Sequence, residues 1–404
     1  MKKIFIVDEH QSSKQNGVGT YIRQLLLCFE ESSYEINLLS FNSDEKEFKI
    51  THENKYKEYH IPICGQNNFL YNGALSLSLL RIYIDDSREN VFFVNHSPCN
   101  DFLKILKHVF RNSRIIFVIH DQGWCAPLLG DHKKLEYILS RKTKLKNEKQ
   151  LSKYIKQYVL NEKKMYQIAD DIVVLGQTTN RLLKDIYHIP ETKIHLIPNG
   201  KQITNECYIK ENKEKIRKRF GINESDFIFL YAGRTVESKG IMDLLMAFEE
   251  LYKIESKARL IIAGQVFKLN DFSKLTPNSC SRITYTGLIN YEMLSDWYSV
   301  ADVGILPSYT EQSSFLGIEL LSQGCLIIAS DGHNMDDMFN SEVALIAHIN
   351  RYSTTFKDEL CRLMQTAIHM PLSQRHLLKR NARERAEQHY SINIMRERYL
   401  ELLK

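Results

Sequence analysis

Residues 303–330 read "VGILPSYTEQSSFLGIELLSQGCLIIAS". Two short apolar runs, VGIL and CLIIAS, enclose a polar loop and a helix-like stretch, which is the pattern of a strand, a crossover helix and a parallel strand. The chain turns through Ser308 to Ser313 and enters a helix near Ser314. Glu311 lies in the loop and Glu319 on the helix. Ligands of open α/β sheets bind where strands end and loops enter helices, so two carboxylates at such a junction ask for a partner. Acids facing an anion would repel it, whereas hydroxyl groups of a sugar or ribose can donate to them.

Outward from this unit the same alternation continues. IFIV, INLLSF, VFFV, IIFVIH and IVVLG fall in the first half, then FIFLYAG, RLIIAG, ITYTG, VGIL, CLIIAS and VALIA in the second. They form two successive series, divided by "IHLIPNGKQITNECYIKENKE", where Pro198, Asn199 and Gly200 punctuate the chain. With 404 residues, two α/β domains of roughly 200 residues each are expected, with a boundary near residue 200. There is no internal repeat and no low-complexity tract.

Hydrophobic residues make up 43% and charged residues 25%, as in folded globular chains. The opening apolar run is too short for a signal peptide and reads as a first strand. No run reaches the ~20 residues of a spanning helix. Cys28, Cys64, Cys99, Cys125, Cys207, Cys280, Cys325 and Cys361 are scattered without a C-x-x-C pair, which suits reduced thiols and a cytoplasmic location. The net charge of +5 is too mild to call for nucleic acid. Residues 140–165 concentrate it, with nine Lys or Arg against two Glu. Leu145, Leu151, Ile155 and Val159 recur there near helical spacing. A solvated helix face or contact with an anionic membrane surface or acidic acceptor would fit.

Three further loops carry chemistry. Gly17 and Gly19 open an amphipathic helix, where bare backbone and free N–H groups can meet an anion, although a tight turn would look the same. Ile22 stands where a dinucleotide fingerprint would need its third glycine, which removes the main support for hydride transfer. After the strand ending at Gly233, Arg234 and Lys239 offer two cations suited to a diphosphate, or simply two surface charges. His120 and Asp121 close another apolar run. No zinc spacing and no D-x-D occurs, so a metal-free chemistry is expected.

Together these stretches resemble the retaining GT-B glycosyltransferases of family 4, most closely across residues 228–332. "GVGTYIRQLL", "VIHDQGW", "HLIPNG" and "HYSINIMRERYLELLK" match more loosely. The resemblance implies two Rossmann-like domains facing a cleft, an acceptor domain at 1–199 and a donor domain at 200–390. The final helix, from about 391, would return to the first domain. It implies a hexosyl transfer from a nucleotide sugar, UDP in preference to GDP, with retention and without metal or cofactor. Arg234 and Lys239 would hold the diphosphate, Glu319 the ribose hydroxyls and Glu311 the transferred sugar. His120 would line the sugar pocket. Ser314, Phe315 and Leu316 open the helix whose amides cap the phosphates, Gly17 and Gly19 meet them from the other domain, and Leu288 borders the base. The family commonly follows the first acid with Gly-aromatic-Gly, whereas Gln312, Ser313 and Ser314 stand here. That departure leaves the sugar unassigned. The acceptor would be a glycan, a lipid-linked saccharide or a peptide hydroxyl, as in bacterial glycan biosynthesis. If residues 140–165 are not simply a solvated helix face, they would touch the inner face of the membrane. A GT-B epimerase acting on nucleotide sugars, or a non-catalytic binding subunit of a transferase complex, would share the motifs.

Overall fold

Every apolar run quoted above contributes a strand to the computed structural model, which describes residues 2–14, 16–53, 55–63, 76–96, 99–140, 146–203, 210–266, 269–349 and 355–404. The chain divides into two units, Met1–Gly200 with Ile392–Lys404 (unit 1) and Lys201–Ser391 (unit 2). The segment 63–78 and the start of the basic stretch, 141–145, lie largely or wholly outside the described residues.

Unit 1 contains β1 (Lys3–Glu9), β2 (Glu35–Ser43), β3 (Lys49–His52), β4 (Lys57–Pro62), β5 (Asn90–Val94), β6 (Arg114–Val118), β7 (Asp171–Val174) and β8 (Ile194–Leu196). Among the described residues these form one sheet in the order β3-β4-β2-β1-β5-β6-β7-β8. All neighbours are parallel except β3 and β4. Two features differ from the sequence reading. The β3–β4 pair was not expected, because KITH and KEYHIP are short and half polar and lack an apolar run. β8 occupies the start of the segment read as a divider.

The closing helix, Ile392–Leu402, belongs to unit 1. Tyr399 is buried with its hydroxyl bonded to that of Tyr21, and its ring packs edge-on against Phe93. Arg114 Nη1 donates to the Leu402 carbonyl at 2.9 Å, which satisfies one of the orphan acceptors at the helix end.

Unit 2 holds β9 (Phe227–Ala232), β10 (Ala258–Ala263), β11 (Ile283–Gly287), β12 (Val303–Leu306), β13 (Leu326–Ser330) and β14 (Leu345–Ala347), all parallel, in the order β11-β10-β9-β12-β13-β14. Side chains alternate between two cores: Ile228 and Leu230 of β9 face one helix layer, and Phe229 and Tyr231 the other. The period-two placement on both faces is why these runs read as continuously apolar. Strand order reverses between β9 and β12. The crevice beyond their carboxyl ends is the topological switch point, where doubly wound sheets bind ligands.

Candidate functional site

The sequence-predicted residues fall in two groups, one in each unit. In unit 2, β9 is followed by Gly233 with φ +141° and then by Arg234, which is exposed. Tyr231 Oη donates to the Arg234 carbonyl at 2.6 Å, fixing the loop backbone while the guanidinium makes no hydrogen bond or ion pair among the described residues. A single 3-10 turn, Glu237–Lys239, then meets Gly240 at φ +68°. A Cβ on Gly240 would lie 2.0 Å from the Pro307 carbonyl oxygen, so only glycine lets the β9 loop approach the β12 loop this closely.

That approach joins two residues expected to act separately. Lys239 Nζ lies 2.7 Å from Glu311 Oε1 and donates to the Thr310 carbonyl at 3.1 Å. Ser308 Oγ donates to the same Glu311 oxygen at 2.8 Å. The pair is mostly buried, with side chains 18% and 14% exposed. Lys239 is therefore a cation already paired with a carboxylate rather than a free surface charge.

Gln312, which departs from the family pattern, is buried, and its Oε1 accepts from Asn334 Nδ2 at 3.3 Å. Ser314 caps the helix Phe315–Ser322 by accepting from the Gly317 amide at 3.2 Å. Its hydroxyl is thus committed to the helix, and the Phe315 and Leu316 amides before it are left as orphan donors of the first turn. Glu319 lies beyond that turn, so it is not an acid serving the helix's positive end. Lys201 Nζ donates to its Oε1, and Tyr298 Oη donates to its Oε2 at 2.6 Å. Burial, with Glu319 beside it, holds the Tyr298 hydroxyl well above the ordinary phenol range, so it stays a donor. Leu288, expected beside a base, is 79% exposed after β11.

In unit 1, Asn16 caps the helix Gly17–Phe29 through the Val18 amide at 2.9 Å. The two glycines have different reasons to be glycine. A Cβ on Gly17 would meet nothing within 4 Å, whereas one on Gly19 would lie 2.3 Å from the Ser13 carbonyl oxygen. Gly19 is thus dictated by packing inside the unit, and only Gly17 leaves open space. His120, two residues past β6, packs edge-on to Tyr21 with centroids 4.4 Å apart. Its Nε2 is enclosed without a hydrogen-bond partner among the described residues. Burial, reinforced by His96, pushes its pKa down to about 3, so the ring is neutral. Asp121 accepts from the Gln122 amide at 2.9 Å.

Two residues escaped the sequence reading. Lys201 lies in the segment taken as a divider, and nothing local marks it. Glu162 was counted as one of two acids in the basic stretch, yet it sits seven residues after Ile155 and three after Val159, on the apolar face of the helix Lys146–Ile168. An acid on that stripe was a usable signal. Glu162 accepts from the Gly123 amide at 2.6 Å and from Tyr187 Oη at 2.5 Å, holding the loop after His120. Burial pushes its carboxyl up to about 7 despite both bonds, with Asp121 adding. Lys149, Lys153 and Lys164 of the same helix are exposed.

Comparison with known proteins agrees with this layout. Residues 15–202 match the family model Glycosyltransferase Family 4, and residues 212–385 match Glycosyl transferases group 1. The lipopolysaccharide 1,2-N-acetylglucosaminetransferase of Salmonella typhimurium is 26% identical over 166 residues, which cover 37% of this chain and 42% of that protein, so the chain spans less than half the length of this relative. Sucrose-phosphate synthase of Thermosynechococcus elongatus superposes with a TM-score of 0.78 at 16% identity, covering 100% of this chain and 98% of its own. Anabaena HepE, in complex with UDP and glucose, does so with 0.71 at 15%, covering 100% and 99%. Two parallel-sheet units with GT-B neighbours, each matched by a family model over most of its length, make this chain a member of the GT-B glycosyltransferases of family 4, glycosyl transferases group 1.

Proposed function

We propose that this chain transfers a hexosyl group from a nucleoside diphosphate sugar to a hydroxyl acceptor, with retention of configuration and without a metal ion. The observation that carries the reading is the convergence, at the unit 2 switch point, of the Arg234 loop, the Lys239–Glu311 pair and the first turn of the helix that bears Glu319. Lys239 has three N–H donors, of which Thr310 and Glu311 take two, so one is left for a phosphate oxygen. Arg234 adds a fork onto the same diphosphate. As the bond from the anomeric carbon to the phosphate oxygen breaks, charge develops on the leaving group, where these cations and the Phe315 and Leu316 amides stabilise it. The acceptor oxygen attacks from the side of departure, and the leaving phosphate oxygen takes its proton. Glu311, anchored by Lys239 and Ser308, keeps lone pairs for a sugar hydroxyl, and Glu319 keeps its own for ribose. His120 in unit 1, being neutral, can both donate to and accept from a hydroxyl.

The UDP in the HepE structure favours UDP over GDP as the carrier. The name of the Salmonella relative favours a lipid-linked saccharide acceptor, and the exposed lysines of the helix Lys146–Ile168 suit an anionic surface on the cytoplasmic side. The test is release of nucleoside diphosphate from a panel of donors and acceptors, with and without EDTA. Lys239→Ala and Arg234→Ala should each lower turnover ~10²- to 10³-fold while the fold is kept. Full turnover of either variant at saturating donor would overturn the diphosphate assignment, and loss of activity in EDTA would overturn the metal-free mechanism.

A further inference from the structure

We infer that Lys201 is a positioning residue for Glu319 and that it adapts this carboxylate to a vicinal diol. The inference rests on the reading of Glu319 as the ribose acid. Each carboxylate oxygen has two lone-pair directions. Lys201 occupies one on Oε1 and Tyr298 one on Oε2. One acceptor direction therefore remains on each oxygen, side by side, on a group that two donors prevent from rotating. Two adjacent acceptors match two adjacent hydroxyls, as in the 2′,3′-diol of a ribonucleotide.

Lys201 is itself held at both ends. Its amide donates to the Tyr390 carbonyl at 2.9 Å, and its ammonium lies 4.0 Å from the centroid of the Tyr291 ring. The cation is thus gripped between a carboxylate and an aromatic face, with only 17% of the side chain exposed, while Tyr291 is 54% exposed. Lys201→Met keeps the aliphatic stem but removes the charge, leaving Glu319 with one anchor and no compensating cation.

Calorimetric titration of the whole chain with uridine and guanosine diphosphates and with their 2′,3′-dideoxy forms separates the possibilities. Wild type should prefer the ribonucleotide. Lys201→Met should weaken ribonucleotide binding about tenfold and change dideoxynucleotide binding by less than about twofold, and Lys201→Arg should restore most of the difference. Unchanged ribonucleotide affinity in Lys201→Met, or equal weakening of both probes, overturns the inference. If wild type instead binds ribo- and dideoxynucleotides equally, it is the ribose role of Glu319 that fails. If wild type binds no nucleotide, both readings fall.

Discussion

Replacing Glu162 by Gln should stabilise unit 1 at pH 8 and leave it nearly unchanged at pH 4. The Glu162 carboxyl, ordinarily near 4.5, is pushed up to about 7 by burial. A group whose folded-state pKa is raised contributes stability that is complete below its unfolded pKa and lost as pH rises through the folded one. The window is therefore about pH 4.5 to 7, and above it the unit carries a buried, ionised carboxylate. The gap corresponds to about 3 kcal/mol. Gln has the same shape and no charge at any pH. Its carbonyl can accept from the Gly123 amide, and its amide can donate to the Tyr187 oxygen. The advantage of Glu162→Gln over wild type should thus grow from near zero at pH 4 toward an upper bound of about 3 kcal/mol at pH 8. Urea unfolding followed by tryptophan fluorescence measures this. The chain has two tryptophans. Trp297→Phe keeps a ring stacked on Phe220 and leaves the buried Trp124, next to Gly123, as the reporter of unit 1. Parallel stability profiles of the two proteins from pH 4 to 8, or a variant weaker at pH 8, would refute the reasoning.

The two glycines of the first loop should respond oppositely. Gly19→Ala drives a Cβ into the Ser13 carbonyl and should cost about 1 to 3 kcal/mol in thermal or urea unfolding. Gly17→Ala, whose Cβ would meet nothing within 4 Å, should hold or raise stability by about 0.5 to 1 kcal/mol; on the proposed donor role it should also lower turnover, and an unimpaired Gly17→Ala would remove that role. His120 remains neutral well below pH 5, because its pKa lies at about 3. The pH profile of turnover should then show no limb near its ordinary 6.5, and His120→Asn should lower the rate without changing the profile's shape. A limb that disappears in His120→Asn would contradict the neutral imidazole.

Residues that announce themselves by local pattern were legible, and residues defined by a distant partner were not. Gly233, Arg234, Lys239, Glu311 and Glu319 all close or follow apolar runs, so strand-end reasoning reached them. The β3–β4 pair and β8 were missed because a four-residue edge strand and a three-residue strand carry too little periodicity to stand apart from loop. The packing demand on Gly19 was not legible, because a glycine required by a neighbouring carbonyl looks, in sequence, the same as one required by a ligand. Gln312 stands at a position expected to read sugar hydroxyls, but Asn334, 22 residues on, holds its carbonyl oxygen in a buried contact.

The sequence by itself determined two series of buried strands, the helices between them and the places where strands end, because hydrophobic period and turn chemistry are local. Tertiary structure alone decided which strand ends are neighbours. Lys239 meets Glu311 only because β9 and β12 lie side by side, and Lys201 reaches Glu319 across 118 residues. Charge pairing depends on distances of a few ångströms between residues far apart in the chain, and no periodicity along one strand carries the order of the sheet.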